Sequence, residues 1–229
     1  MQTETPYWLK EAYAQAITLT DVGLIRRNME LGGMLKVMLP LIADPGGTFI
    51  DYGGGYGILV RMMRDAGFDF RWYDASTENL FAKNFEADRS ATYALLSAFE
   101  VFEHLENPRQ GLHDMLELSD QVLFSTALLP EPCPLPEQWW YYGLDHGQHV
   151  SLYSLASLEV LAAAAGAYLH TNGINIHLIA RRRVSDRLFR IATRKTAAVL
   201  LAPLFKRKSL LQDDFAASIR QLCKEPPKP

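Results

Sequence analysis

Phe49-Ile50-Asp51-Tyr52-Gly53-Gly54-Gly55-Tyr56-Gly57 decides the fold of this 229-residue chain. Thr48 to Tyr52 is a β-branched and aromatic run that reads as a short buried strand, and Ile58 to Ala66 beyond the glycines reads as a helix. The glycines stand where a backbone turns sharply after a strand and where a ligand approaches too closely for any Cβ. Strand, glycine loop and helix in that order make a nucleotide-site topology. Position 58 is Ile, so the spacing is Gly-x-Gly-x-Gly and departs from the Gly-x-Gly-x-x-Gly of a pyrophosphate cradle. No Lys-Ser/Thr follows, as a phosphate loop requires.

Outward from the loop, strand-like and helix-like segments alternate. Pro6 to Ala16 and Val22 to Ile42 read as N-terminal helices, and Asp69 to Tyr73 as a second strand ending at Asp74. A short helical stretch is expected around Leu80 to Lys83, then a strand over Thr92 to Phe99; any strand between 84 and 91 is very short. Helix Gln110 to Leu118, strand Gln121 to Ser125, a long loop and helix Leu152 to Ala165 follow. Ala167 to Thr171 and Ile174 to Ala180 flank Asn172-Gly173, a strong hairpin signal. Such an order implies an α/β fold, a mostly parallel sheet closed by an antiparallel hairpin and covered by helices on both faces.

Composition is that of an ordinary globular chain, 48% hydrophobic and 21% charged. The two cysteines, Cys133 and Cys223, match no metal spacing and are too few for a disulfide scaffold, which points to a reducing, cytoplasmic setting. No signal-like N-terminus precedes the fold, and the longest apolar stretch, Ala197 to Phe205, is too short to span a bilayer. Residues 1–180 hold 10 Lys+Arg against 22 Asp+Glu, whereas 181–229 hold 13 against 4. The expected division is therefore a helical cap over 1–47, a core over 48–183 and a basic helical extension over 184–229. The extension reads as a helix from Ser185 to Phe205, suited to a peripheral membrane contact through 185–208, to a homodimer, or to docking on its own acidic body.

Asp51, Gly53, Gly55 and Gly57 match motif I of class I S-adenosylmethionine-dependent methyltransferases position for position, and the segment resembles that family. The resemblance implies a Rossmann-like, seven-stranded sheet and a cofactor site drawn from Asp51, Gly53, Gly54, Gly55, Asp74 and Phe99. In that family an acidic residue at the end of the second strand bonds the ribose hydroxyls. Asp74 stands at that place, and a carboxylate suits vicinal hydroxyls because it accepts two hydrogen bonds.

Glu103-His104-Leu105-Glu106-Asn107-Pro108 resembles the Glu-His-Leu-x-x-Pro signature of small-molecule O-methyltransferases. It is similar to ubiquinone-type catechol methyltransferases and to small-RNA 2′-O-methyltransferases. The latter resemblance implies a divalent cation on Glu100, Glu103, His104 and His149. The rival is His104 or His149 as a metal-free general base. After the fifth strand come Trp139, Trp140, Tyr141, Tyr142 and His146, and from here through His149 the chain is similar to methyltransferases associated with polysaccharide gene products. Trp139, Trp140, Tyr142 and His146 are the expected acceptor contacts, with a plain core plug as the alternative. The resemblance implies methyl transfer to a sugar, glycan or similar small hydroxylated acceptor. RNA 2′-O-methylation is disfavoured by the acidic body, since phosphate contacts dominate nucleic-acid affinity. A non-catalytic S-adenosyl-ligand-binding protein is the rival from another class, and a nicotinamide oxidoreductase a more distant one. His113, His170 and His177 are assigned no chemistry.

Overall fold

The structure is a computed structural model that describes residues 22–144 and 149–223. The helix expected over Pro6 to Ala16, and His146, lie outside the described residues. In chain order the elements are α1 (Leu24–Ile42), β1 (Thr48–Tyr52), α2 (Ile58–Asp65), β2 (Asp69–Tyr73), β3 (Leu95–Phe99), α3 (Pro108–Leu118), β4 (Gln121–Ser125), α4 (Leu155–Ala164), β5 (Tyr168–Thr171), β6 (Ile176–Ala180), α5 (Asp186–Ala192), α6 (Lys195–Leu201) and α7 (Leu211–Leu222).

Among the described residues the sheet has six strands in the order β2-β1-β3-β4-β6-β5, with β6 antiparallel to both neighbours. The seventh expected strand is reduced to one parallel bridge, Trp72 to Glu86, on the outer edge of β2. The segment that would extend it, Glu86-Ala87-Asp88-Arg89-Ser90, holds no β-branched or aromatic residue to pack on a pleated face. No helix forms at Leu80 to Lys83. There the N–H groups of Leu80 and Phe81 both donate to the Tyr56 carbonyl, and Asn79 bonds its amide across Ala82, so the chain wraps the glycine loop as a tight turn.

Alternate residues of β1 show why the sheet is covered twice. Phe49 packs with Leu35, Met38, Leu59, Phe70 and Phe189, on the side of α1, α2 and α5. Ile50 packs with Leu112, Met115, Leu158 and Leu161, on the side of α3 and α4. The hairpin loop runs over three residues, Gly173 to Asn175, because Asn172 closes it from both ends. Its N–H donates to the Ile176 carbonyl, and its side-chain oxygen accepts from the N–H groups of Ile174, Asn175 and Ile176.

The basic extension is not one helix from Ser185 to Phe205. It breaks after Ala192, where Arg194 is extended, resumes as α6, tightens to a 3-10 turn from Ala202, with Pro203 in its first turn, and ends in the unpredicted α7. It lies on the acidic body: Phe189, Ala192 and Ala197 are buried, and Lys195 pairs with Glu30 at 3.0 Å. Arg64 grips α7 from α2, donating to both oxygens of Asp214 at 2.7 and 2.9 Å while also pairing with Asp69.

Candidate active site

Strand register aligns the chemistry. Asp51 lies opposite Ser97, and Phe99 opposite Ser125, so the C-terminal ends of β1, β3 and β4 open onto one edge, where open α/β sheets bind ligands. Asp51 is 4% exposed, and Ser97 donates to it at 2.6 Å. Burial pushes its carboxyl up to about 7, against the lowering effect of the Ser97 hydroxyl and helped by the nearby charge of Asp74.

Beyond Asp51 the chain turns through left-handed backbone at Gly53 (φ 71°) and Gly55 (φ 52°). A Cβ at Gly53 would stand 2.6 Å from Val101 Cγ2, which shows how tightly the glycine loop abuts the segment after β3. Gly55 differs: a Cβ there would meet nothing within 4 Å among the described residues, which leave its face open. Gly53 and Gly54 donate to the Tyr73 carbonyl at 2.8 and 3.0 Å, and Trp72 donates its indole N–H to the Gly55 carbonyl at 2.7 Å. Asp74 holds the same loop, accepting from the Gly55 N–H at 2.9 Å on one oxygen and from Ser76 and Thr77 at 2.8 Å on the other. A carboxylate offers about four acceptor positions, so the oxygen facing Gly55 retains capacity for a further donor. Phe99, 9% exposed, ends β3 on the side of Phe49 and Leu59.

The segment after β3 begins with a left-handed turn at Glu100 (φ 54°), held by Ser125. The Ser125 hydroxyl accepts from the Glu100 N–H at 2.8 Å and donates to the Glu100 carboxylate at 2.5 Å. One 3-10 turn later, Glu103 is fully buried, and among the described residues neither of its oxygens has a hydrogen-bond partner in good geometry. Its pKa is pushed up to about 8, by burial first and the charge of Glu100 second, while the neighbouring Tyr141 and Thr126 hydroxyls pull it down.

Glu103, His104 and His149 each present a ligand atom within 4.8 Å of the others. Of the four residues expected to hold a metal, these three converge, whereas Glu100 turns to Ser125. His149 is delivered by backbone: the N–H groups of Val150 and Ser151 both donate to the Glu103 carbonyl at 2.9 Å. Its Nδ1 lies 2.6 Å from the Tyr141 carbonyl, and its ring packs 5.1 Å from His104 and 4.6 Å from Tyr141.

The aromatic run divides by burial. Tyr141 is 2% exposed, shares a 3.2 Å hydrogen bond with Thr126 and faces Glu103, while Trp140 is 82% exposed at the rim. Trp139 is half-buried against Tyr141 and Tyr142, and Tyr142 donates to the Pro134 carbonyl at 2.8 Å, which anchors the loop on itself. Tyr141, Thr126, Ser125 and Ser97 were absent from the expected site; only the aromatic run around Tyr141 carried a sequence signal. His170 pairs with Asp186 and His177 bridges Thr171 and the Thr126 carbonyl, so both serve structure. No described helix is long and apolar enough to cross a membrane.

No curated protein matches the chain by sequence. Solved structures do match in fold. A Haloferax volcanii protein described as a putative methyltransferase, in complex with the activator Trm112, is 13% identical over 76% of this chain and 98% of its own, with a TM-score of 0.54. Human N-acetylserotonin methyltransferase in complex with S-adenosylmethionine is 13% identical over 79% of this chain, with a TM-score of 0.53. An O-methyltransferase family 2 protein from Planctomyces limnophilus, in complex with apigenin, is 14% identical over 75% of this chain, with a TM-score of 0.51. The chain spans 60% and 65% of the lengths of the last two, less than two thirds. The family described as "Methyltransferase domain" matches residues 26–172, which takes in the glycine loop, Asp74 and the Glu103, His104 and His149 cluster. The chain belongs to that family and is a class I S-adenosylmethionine-dependent methyltransferase.

Proposed function

We propose that the chain moves the methyl group of S-adenosylmethionine to a hydroxyl of a small acceptor, a sugar or similar glycan unit, with His149 as general base. The observation that carries this reading is the 2.6 Å approach of His149 Nδ1 to the Tyr141 carbonyl. A carbonyl only accepts, so Nδ1 holds the proton in the neutral ring and the basic lone pair lies on Nε2. That ring adjoins Glu103 and His104, two and three residues beyond Val101, which packs on Gly53.

S-adenosylmethionine, when bound, supplies an electrophilic methyl on a sulfonium. The residues of the chain do the rest. Gly55, with its open face, and Asp74, with remaining acceptor capacity, suit close approach of the nucleoside part. Trp140 at the rim offers an aromatic face to a sugar ring. His149 accepts the acceptor's proton as the hydroxyl oxygen forms its bond to the methyl carbon. The acidic body supports a neutral acceptor over RNA, because a polyanion would meet 22 carboxylates against 10 basic groups across residues 1–180.

A second reading is favoured by the buried Glu103 oxygens. A divalent cation held by Glu103, His104 and His149 would satisfy them and act as a Lewis acid toward the acceptor oxygen. In a methyl-transfer assay with a panel of hydroxylated acceptors, His149→Ala should lose turnover while keeping its affinity for S-adenosylhomocysteine, and Asp74→Ala should lose the affinity. The opposite pattern would show that donor and acceptor sides are exchanged. Turnover that survives chelation supports the base; turnover lost on chelation and restored by Mg²⁺ or Mn²⁺ supports the cation. Affinity with no transfer to any acceptor, in the native protein as in His149→Ala, would favour a binding protein.

A further inference from the structure

We propose that the C-terminal extension is a docking face for an anionic lipid surface, with α7 lying in the plane of the headgroups. The four large apolar side chains of α7, Leu211, Phe215, Ile219 and Leu222, are 49%, 64%, 43% and 65% exposed. At about 100° per residue they fall within a stripe roughly 80° wide, a single face of the helix. The side that holds the body flanks this stripe, about 60° round the helix from Leu211. Asp214 is the only buried residue of α7, and both Arg61 and Arg64 donate to it. The ion pair on Asp214 fixes the rotation of α7, and in that setting Phe215 and Leu222 stay about two-thirds exposed and Leu211 and Ile219 about half exposed among the described residues.

The segment leading into α7 repeats the pattern. Leu201, Ala202 and Phe205 pack against the core, whereas Val199, Leu200 and Leu204 are 75%, 72% and 75% exposed. Lys206, Arg207 and Lys208 join the two apolar faces. Arg207 is tied to the Gly67 carbonyl at 2.9 Å, while the Lys208 side chain is 85% exposed.

Charge chooses the occupant. Between residues 186 and 222 the extension carries eight Lys or Arg and three Asp, and one of those three, Asp214, is neutralised by the body's arginines. A second copy would set this basic segment against its own equivalent, with repulsion across the interface. An anionic bilayer answers both features at once: acyl chains for Phe215 and Ile219, headgroup phosphates and carboxylates for the lysines. This moves the centre of the contact expected over 185–208 to α7 and keeps only the outer part of that segment, since Phe189 and Ala197 are buried.

The test is flotation of the full chain with vesicles of phosphatidylcholine alone and with phosphatidylserine added. Binding should require phosphatidylserine and weaken with salt. Replacing Lys206 and Lys208 with Gln should reduce it roughly 30-fold, and Phe215→Ser with Ile219→Ser by tenfold or more. Because these side chains are exposed, the thermal midpoint should be unchanged in every variant. The proposal is overturned if the chain ignores phosphatidylserine vesicles, or if light scattering finds a dimer that Phe215→Ser dissociates, in which case a second copy covers the face.

Discussion

His149 Nδ1 sits 2.6 Å from the carbonyl oxygen of Tyr141, and this backbone contact sets which nitrogen of the imidazole is basic. The two residues reach each other because Val150 and Ser151 bond the Glu103 carbonyl, folding the chain after the aromatic loop back onto the segment after β3. The imidazole is thus aimed by main chain and by a tilted ring 4.6 Å away, while the Tyr141 hydroxyl shares a hydrogen bond with Thr126.

That division of labour separates two substitutions of one residue. Tyr141→Phe keeps the carbonyl and the ring, so it should cost about 1 kcal/mol of stability through the lost hydroxyl contact and leave kcat within about threefold. Tyr141→Ala removes the ring and should cost about 3–5 kcal/mol, with kcat reduced on the order of 100-fold as His149 loses its orientation. Thermal melts and steady-state kinetics on the pair decide it. Equal loss of kcat in both would show that the hydroxyl itself takes part in the chemistry.

Asp51 should couple pH to cofactor binding. Its carboxyl is raised from 3.8 to about 7 in the folded protein, so between those values the native state keeps a proton that the unfolded chain has lost. Stability of the unliganded protein therefore falls as pH rises from about 4 to about 7 and is flat above, as far as Asp51 contributes. A cationic ligand at the glycine loop favours the carboxylate. Affinity for S-adenosylmethionine should accordingly rise between pH 6 and 8 more than that for S-adenosylhomocysteine, which lacks the sulfonium charge. Calorimetry in two buffers of different ionisation enthalpy reads the released proton directly, and equal pH dependence for the two ligands would remove Asp51 from the coupling.

What the sequence made legible was local. The order Asp51, Gly53, Gly55, Gly57 and the position of Asp74 depend on a strand, a turn and the start of a helix, and all are found in place. The pairing of Tyr141 with His149 was not legible, because it depends on how a long loop returns across the sheet edge. Four consecutive aromatics also look alike until burial separates Tyr141 from Trp140. Glu100 illustrates the same limit: spacing placed it beside Glu103, but its left-handed backbone turns the carboxylate toward Ser125. Helix α7 did carry an apolar period at Leu211, Phe215, Ile219 and Leu222, yet its anchor, Asp214 on Arg64, joins residues 150 positions apart.

That anchor predicts how the extension comes loose. Arg64 is 5% exposed, with Asp214 and Asp69 as its anionic partners, the Phe70 carbonyl at 3.1 Å and the Phe85 ring 3.7 Å from its guanidinium. Arg64→Met would leave the buried Asp214 with Arg61 as its remaining guanidinium partner and should cost about 2–3 kcal/mol, lowering the thermal midpoint by roughly 5–10 °C. Arg64→Met with Asp214→Leu should recover most of that, since a buried ion pair exchanged for apolar groups is close to neutral. Limited trypsin digestion should cut at Lys206 to Lys208 faster in the single variant than in the double. Equal cleavage would mean that the extension is held elsewhere.

Gly55→Ala isolates the cofactor from the fold. Three independent bonds hold this residue in place: its N–H to Asp74, its carbonyl to the Trp72 indole, and the flanking Gly54 N–H to Tyr73. An added Cβ would touch nothing within 4 Å among the described residues, so the internal cost there is the left-handed backbone at φ 52°, about 1–2 kcal/mol for a residue with a side chain. The variant should fold, with a midpoint a few degrees lower. If the open face is where the nucleoside part of the cofactor lies against the backbone, the same methyl occupies its volume, and affinity for S-adenosylhomocysteine should drop by two orders of magnitude or more. Gly53→Ala gives the contrasting result, since its Cβ would stand 2.6 Å from Val101 and disturb the protein before any ligand arrives. A Gly55→Ala protein that melts normally and binds normally would place the cofactor elsewhere than on this loop.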